Sequence, residues 1–299
     1  MKKWVIFCFV FGITTSNAQD YRTYYESCNQ ADHLIHLKKY DAALDTLKYA
    51  FTTVPYTHAY RYLKASQCAL EVSHFEEAYH FAKKALLNGM QSDFWKHKEF
   101  KPLQKTSYYQ MLEDSASIFR ERHQQSINLE YKKIIDSLVY VDQRIVRNYP
   151  FAKGNYDIDV SNFPRDQKSL DSLDSLIAHH LLELIDRYGF PSEEVIGPES
   201  HQNASRTIIH HNFRHAQYEQ YHLMLIDAIY KGEYQPQDFA HLYDQYYNWY
   251  KGKSFFTFTD RNLTPQNMEW IEKNRQEFCL KPLSAFKLKK RSLRMKPIW

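Results

Sequence analysis

The stretch TIIHHNFRH, Thr207 to His215, puts His210, His211 and His215 into six consecutive positions. Imidazoles at that density are suited to ligating a transition metal or moving protons near neutral pH. Turning 100° per residue along one helix places His211, His215 and His222 on a single stripe, with His210 off it. Ile209, Phe213, Ala216, Gln220 and Met224 mark the face expected to be buried. His211 and His215, one turn apart, are the candidate pair for zinc or another transition metal. The next residue after His211 is Asn212, so the glutamate of an HExxH metal site is absent. A surface stripe of imidazoles and tyrosines also stands without any ligand, and no other cofactor is implied.

The elements around those histidines are helical. Only 7 glycines occur against 24 tyrosines and 19 phenylalanines, which favours aromatic-packed helices over strands that turn on glycine. The apolar periodicity predicts a helix over Gln124–Val146, carried by Ile127, Tyr131, Ile134, Leu138 and Ile145. Four more follow. One runs through Leu170, Leu173, Ile177, Leu184 and Tyr188 and stops at Gly189 and Pro191; another spans Ala204–Tyr230. A third runs from Pro236 to Tyr250, and the last is capped by Thr264 with Pro265 just inside. Residues 148–166 read as a long loop, and 251–259 as a short strand or extended arm. The aromatic run through Phe239, Leu242, Tyr246 and Tyr250 reads first as core at helical spacing, with stacking on sugar or peptide as its alternative.

The opening MKKWVIFCFVFGITTSNA, with Lys2 and Lys3 before an apolar run and small residues at Ser16 and Ala18, predicts a secretory signal peptide cleaved after Ala18. The expected product is exported, periplasmic or envelope-associated, and soluble. Removing two lysines takes the formal charge from +4 to about +2. No basic stripe runs through the body, which argues against nucleic acid as a partner. The basic tail Lys287–Lys296 reads either as an anchor to an anionic envelope surface or as a solvated tail. Cys28, Cys68 and Cys279 are too few for a disulfide framework and are expected to be small buried side chains, with at most one bridge among them. Phosphate loops, GxSxG and Cys–His nucleophile patterns are absent from the sequence.

The first mature segment repeats with an offset of 35 residues. Tyr40, Ala43, Leu47 and Ala50 fall on Phe75, Ala78, Ala82 and Ala85, and Ala31 falls on Ser66. This resembles a tetratricopeptide repeat. The resemblance implies stacked helix pairs over residues 22–89, a degenerate third pair of Phe94–Leu103 and Ser107–Phe119, and an inner face that grips another polypeptide.

The blocks VDQRIVRN, LIDRYGFPSEEVIG, IIHHNF, YDQYYNWYKGK and NRQEFCLKPLSAF occur in that order between Val141 and Phe286. Together they resemble an uncharacterised helical domain common in exported Bacteroidetes-type proteins, covering about residues 130–286. That resemblance singles out Asp142, Gln143, Arg147, Gly189, Pro191, Gly197, His211, Asp244, Arg275 and Pro282. The segment after Gly252 departs from the family pattern, which has a YGTQ motif where this chain reads KSFFTFTD. Gln143 and Arg147 share a helix face and could hold a carboxylate or a carbonyl, with Arg275 as a further binding candidate.

The expected architecture is all-α: a signal at 1–18, helical repeats at 19–120, a helical domain at 121–286 and the basic tail at 287–299. The leading function is binding of a polypeptide on the inner face of the repeats. The rival is a hydrolase-like enzyme with His211 as general base and Asp142 or Asp244 orienting it. A buried Asp–Gln–Arg–His network that merely fixes the fold is the third reading.

Overall fold

The side chains that set the 35-residue offset are sealed in the interior. In the computed structural model, which describes residues 21–147, 167–213, 216–252, 255–256 and 265–283, α1 (Tyr21–His36) pairs with α2 (Tyr40–Thr52), and α3 (Ala59–Glu71) with α4 (Phe75–Leu87). Ala43, Leu47 and Ala50 on α2, and Ala78, Ala82 and Ala85 on α4, are all fully buried. So are Ala31 and Ser66, and the Ser66 hydroxyl donates to Ala78 O at 2.7 Å. Small side chains at these positions let paired backbones approach closely, which is why the repeat is written in alanine.

The turn inside each pair repeats as well. Lys38 and Ser73, 35 apart, both adopt positive φ, at 57° and 62°. The residue after each closes the same backbone bond, Lys39 N to Leu34 O at 2.9 Å and His74 N to Ala69 O at 2.8 Å. Neither is glycine, so each L side chain carries a left-handed strain. Replacing Ser73 by glycine is expected to raise stability by roughly 0.5–1 kcal/mol, read from a urea midpoint. No gain would show that the turn tolerates its side chain without strain.

The third pair is only half helical. Where Phe94–Leu103 was expected to form a helix, three 3₁₀ turns occur at Phe94–Lys96, Lys98–Phe100 and Leu103–Lys105. They bury Phe94, Trp95, Phe100 and Leu103, four bulky side chains in ten residues, more than one face of a short helix can point inward. α5 (Ser107–Ser126) then packs on α4 through Leu112, Ala116 and Phe119, while Met111 is exposed. α6 (Leu129–Arg147) starts later than its periodicity predicts, because Asn128 Oδ1 accepts the Tyr131 N–H at 2.9 Å and caps the helix there. Tyr131, Ile135, Leu138 and Val141 form its buried stripe.

The second half continues with α7 (Gln167–Tyr188), which ends at Gly189 with φ 82°, then α8 (Glu193–Ile196) and α9 (Pro198–Ala204). The single helix expected over Ala204–Tyr230 is broken. A π turn at Ser205–Ile209 leads into α10 (His210–Phe213), a 3₁₀ turn at Ala216–Tyr221 and α11 (His222–Tyr230). α12 (Pro236–Lys251) and α13 (Pro265–Glu277) complete an all-α fold with no strand among the described residues. Cys28, Cys68 and Cys279 are buried free thiols. No helix among the described residues is long and apolar enough to cross a membrane. The expected signal segment, the 148–166 loop and the basic tail lie outside the described residues, as does most of the 251–259 arm.

Helix α1 and the start of α3 face the chain's own second half. Tyr25 Oη donates to Tyr234 O at 3.3 Å, Arg22 Nη2 to Glu277 O at 3.1 Å and Asn29 Nδ2 to Cys279 O at 2.5 Å.

Candidate functional site

Two helices 69 residues apart in sequence meet at an acid and an imidazole. Asp142, near the C-terminal end of α6, is fully buried, and both of its carboxylate oxygens lie 3.2 Å from His211 Nδ1 on α10. Gln143 Nε2 donates to Asp142 Oδ2 at 2.6 Å, so the carboxylate is held from two sides. With Nδ1–H donating to the carboxylate, His211 Nε2 carries the lone pair. The His211 side chain keeps 15% of its surface exposed while Asp142 keeps none. A sealed acid bonded to an imidazole that keeps part of its surface open is the base–orienter geometry of acid–base catalysis.

The backbone explains why His211 points there. The π turn at Ser205–Ile209 inserts extra residues per turn just before it, rotating α10 relative to the preceding helix. A straight helix from Ile208 onward would carry His211, His215 and His222 on one stripe. Instead His222 falls in the interior, where its Nε2 donates to Phe213 O at 2.7 Å and burial pushes its pKa down. A neutral imidazole spent on a carbonyl at a helix break has no place on a surface metal stripe, so the stripe is corrected. His210 turns to α12, with Nε2 3.1 Å from Gln245 Oε1.

Of the two candidate orienters, the structure brings Asp142 to His211. Asp244, on α12, is turned to the backbone: its Oδ1 accepts the N–H groups of Phe255 at 2.8 Å and Phe256 at 2.5 Å. Arg275 of α13 binds the same segment, Nη1 to Phe256 O at 2.6 Å, and also Lys281 O through Nε at 2.7 Å. Burial draws the Arg275 guanidinium down to about 10, against the pull of Glu272 and Asp244. Asp244 and Arg275 therefore pin the segment after Gly252 rather than orient His211. The aromatic run of α12 is largely core, with Phe239, Leu242 and Tyr246 buried and Tyr250 exposed.

His215 and the Arg147 side chain lie outside the described residues. Among the described residues no group of three or more His, Cys, Asp or Glu gathers as a metal site. Nδ1 of His211 is occupied by Asp142, so a metal would have to take Nε2, with Asp142 supporting the imidazole from behind.

Two clusters escaped the sequence reading. Glu193, the first residue of α8, is buried and accepts the Ala59 N–H at 2.6 Å and Tyr56 Oη–H at 3.3 Å on Oε1. Its Oε2 accepts from His58 Nδ1 at 3.1 Å. Asp32 on α1 gathers Arg61 and Lys64 of α3 and Lys281 beyond α13. Neither has a local motif, because each joins side chains that are isolated in sequence. No protein-family model matches this chain, and no curated protein or solved structure does either, so the site stands on its own geometry.

Proposed function

We propose that the protein is an exported hydrolase-like enzyme in which His211 is the general base and Asp142 its orienter. The observation that carries this reading is the buried Asp142 carboxylate bonded to His211 Nδ1 through both oxygens, with the imidazole partly open to solvent. In that arrangement Nε2 takes a proton from water, or from a substrate hydroxyl, as the nucleophile attacks. Asp142 holds the tautomer and stabilises the imidazolium that forms, and Gln143 keeps the carboxylate from rotating. Export rests on the signal-like N-terminus.

The polypeptide-binding reading takes a narrower form. Side chains of α1 bond the carbonyls of Tyr234, Glu277 and Cys279, so α1 is suited to holding the carbonyls that helix ends and turns leave exposed. The segments it holds are its own, and we infer that the repeats serve first as a cradle for the catalytic half.

The test is a panel of ester, amide, glycoside and phosphoester substrates, run on the mature protein beside His211→Ala and Asp142→Ala. Each variant is expected to lose about a hundredfold or more in kcat/KM on whichever class is turned over. Turnover that survives both substitutions would reduce the pair to a polar network that fixes α6 to α10. If polypeptide binding were the function instead, the wild type would turn over nothing, and removing the segment after α13 would open a surface that captures added peptides.

A further inference from the structure

Three cations converge on one carboxylate where the repeats meet the end of the chain. Arg61 Nη1 lies 3.1 Å from Asp32 Oδ2, and the ammonium groups of Lys64 and Lys281 are bonded to the same carboxylate. Asp32 keeps 7% of its side chain exposed, against 18% for Arg61, 19% for Lys64 and 32% for Lys281. Three positive groups against one negative leave two charges uncompensated in a partly desolvated place, which is costly unless a counter-charge joins them. Burial, reinforced by Lys64 and Arg61, outweighs Asp32 and draws the Lys281 ammonium down to about 8. Asp32 itself is opposed by burial yet held well below the usual carboxylate range by the three cations.

Among the described residues, much donor capacity is unused. Arg61 has five N–H groups and bonds Asp32 through Nη1, and each lysine has three and bonds it through one contact. A planar fork beside two mobile ammonium groups suits a tetrahedral oxyanion. We propose that this cluster binds a dianion of the phosphate class, inorganic phosphate or a phosphomonoester, on the side of the cations away from Asp32. Such a ligand matches the two excess charges. It also bridges α1 and α3 to the segment carrying Lys281, whose backbone is already tied to α1 through Asn29 Nδ2 and Cys279 O. The site shares no residue with the His211–Asp142 pair, so its success or failure is independent of that chemistry.

The experiment uses the full mature chain at pH 7 and titrates sodium phosphate against sodium chloride at matched ionic strength. Heat of binding and melting temperature are followed together. A saturable phosphate isotherm is expected, with Tm rising by about 5–10 °C once phosphate exceeds its Kd a hundredfold. Lys281→Gln removes the most exposed of the three cations and should weaken phosphate at least tenfold while leaving the helical circular dichroism intact. Arg61→Lys should do the same through loss of the fork. Phenyl phosphate binding as well as inorganic phosphate would point to a phosphomonoester, and binding of inorganic phosphate alone to the free ion. The proposal is overturned if chloride at equal ionic strength raises Tm as much as phosphate does. It is equally overturned if Lys281→Gln binds phosphate as tightly as the wild type.

Discussion

Replacing Glu193 by alanine is expected to destabilise the protein by roughly 3–5 kcal/mol, because it leaves three buried or partly buried donors without their acceptor at about 1–3 kcal/mol each. The reason lies in what the carboxylate holds. α3 begins at Ala59 after His58, whose side chain makes no cap to its own helix. Glu193 supplies the cap from 134 residues away, taking the Ala59 N–H at 2.6 Å and placing negative charge at the positive end of α3. The same carboxylate receives His58 Nδ1–H, and His58 Nε2 accepts from Gln235 Nε2 at 2.8 Å. One truncation strands the Ala59 N–H, the imidazole donor and the Tyr56 hydroxyl together, each buried or partly buried. It also cuts one of the ties between the repeats and the second half, leaving those of Tyr25, Arg22, Asn29 and Asp32 in place.

The pH dependence of this contact has a definite sign. Burial alone would raise the Glu193 pKa, but the neighbouring His58 ring with its hydrogen bond, and the Ala59 N–H, outweigh it, leaving the carboxyl below its ordinary 4.5. A carboxyl whose folded pKa is depressed contributes stability above the unfolded pKa. That contribution is lost as pH falls through 4.5 towards the folded value. Wild-type stability should therefore drop on acidification below about pH 4.5 more steeply than that of Glu193→Ala. Guanidinium unfolding at pH 7 and pH 4 reads both quantities. A loss under 1 kcal/mol, or parallel pH profiles for the two proteins, would show that Glu193 is not the clamp.

How much of this could be read from the chain depends on how local the cause is. The repeat was legible because alanine at seven-residue spacing is a property of one helix: Ala43, Ala50, Ala78 and Ala85 are all fully buried. Helix ends marked by Gly189 and Pro236 were legible for the same reason. The His222 position was not, because projecting it assumes an unbroken 3.6-residue period from Ile208. A π turn and a 3₁₀ turn intervene, and nothing in SRTII distinguishes a π turn from an α one. His211 was legible from its own cluster of histidines, Asp142 only through the resemblance, and their spacing of 69 residues carries no geometric information by itself. The Glu193–His58 and Asp32 clusters lie wholly beyond such reading. One of two adjacent acids in GFPSEEVIG and a lone histidine in PYTHAY are ordinary surface residues until the two halves dock.

Introducing one methyl group at Gly232 is the second large effect, expected to cost roughly 2–5 kcal/mol. Gly232 ends α11 with φ 76°, and the turn it makes closes Glu233 N onto Ala228 O at 2.8 Å. An alanine there adopts the left-handed conformation at about 1–2 kcal/mol. Its Cβ would stand 2.0 Å from Tyr21 Cε1 and 2.2 Å from Cζ, inside any permissible contact. The ring has little room to yield. It is buried, packs edge-on against Tyr24 at 5.7 Å between centroids, and donates its hydroxyl to Tyr56 O at 3.1 Å. Relief must therefore come from moving α1 against α11, which adds an overpacking cost of about 1–3 kcal/mol. The two costs separate in a double-mutant cycle. Tyr21→Ala in the Gly232→Ala background removes the clash but leaves the left-handed strain, so the double variant should be more stable than the sum of the two single losses predicts, by about 1–3 kcal/mol. Strict additivity would mean that Tyr21 does not pack on the turn, and would remove this contact as the reason that α1 docks against α11.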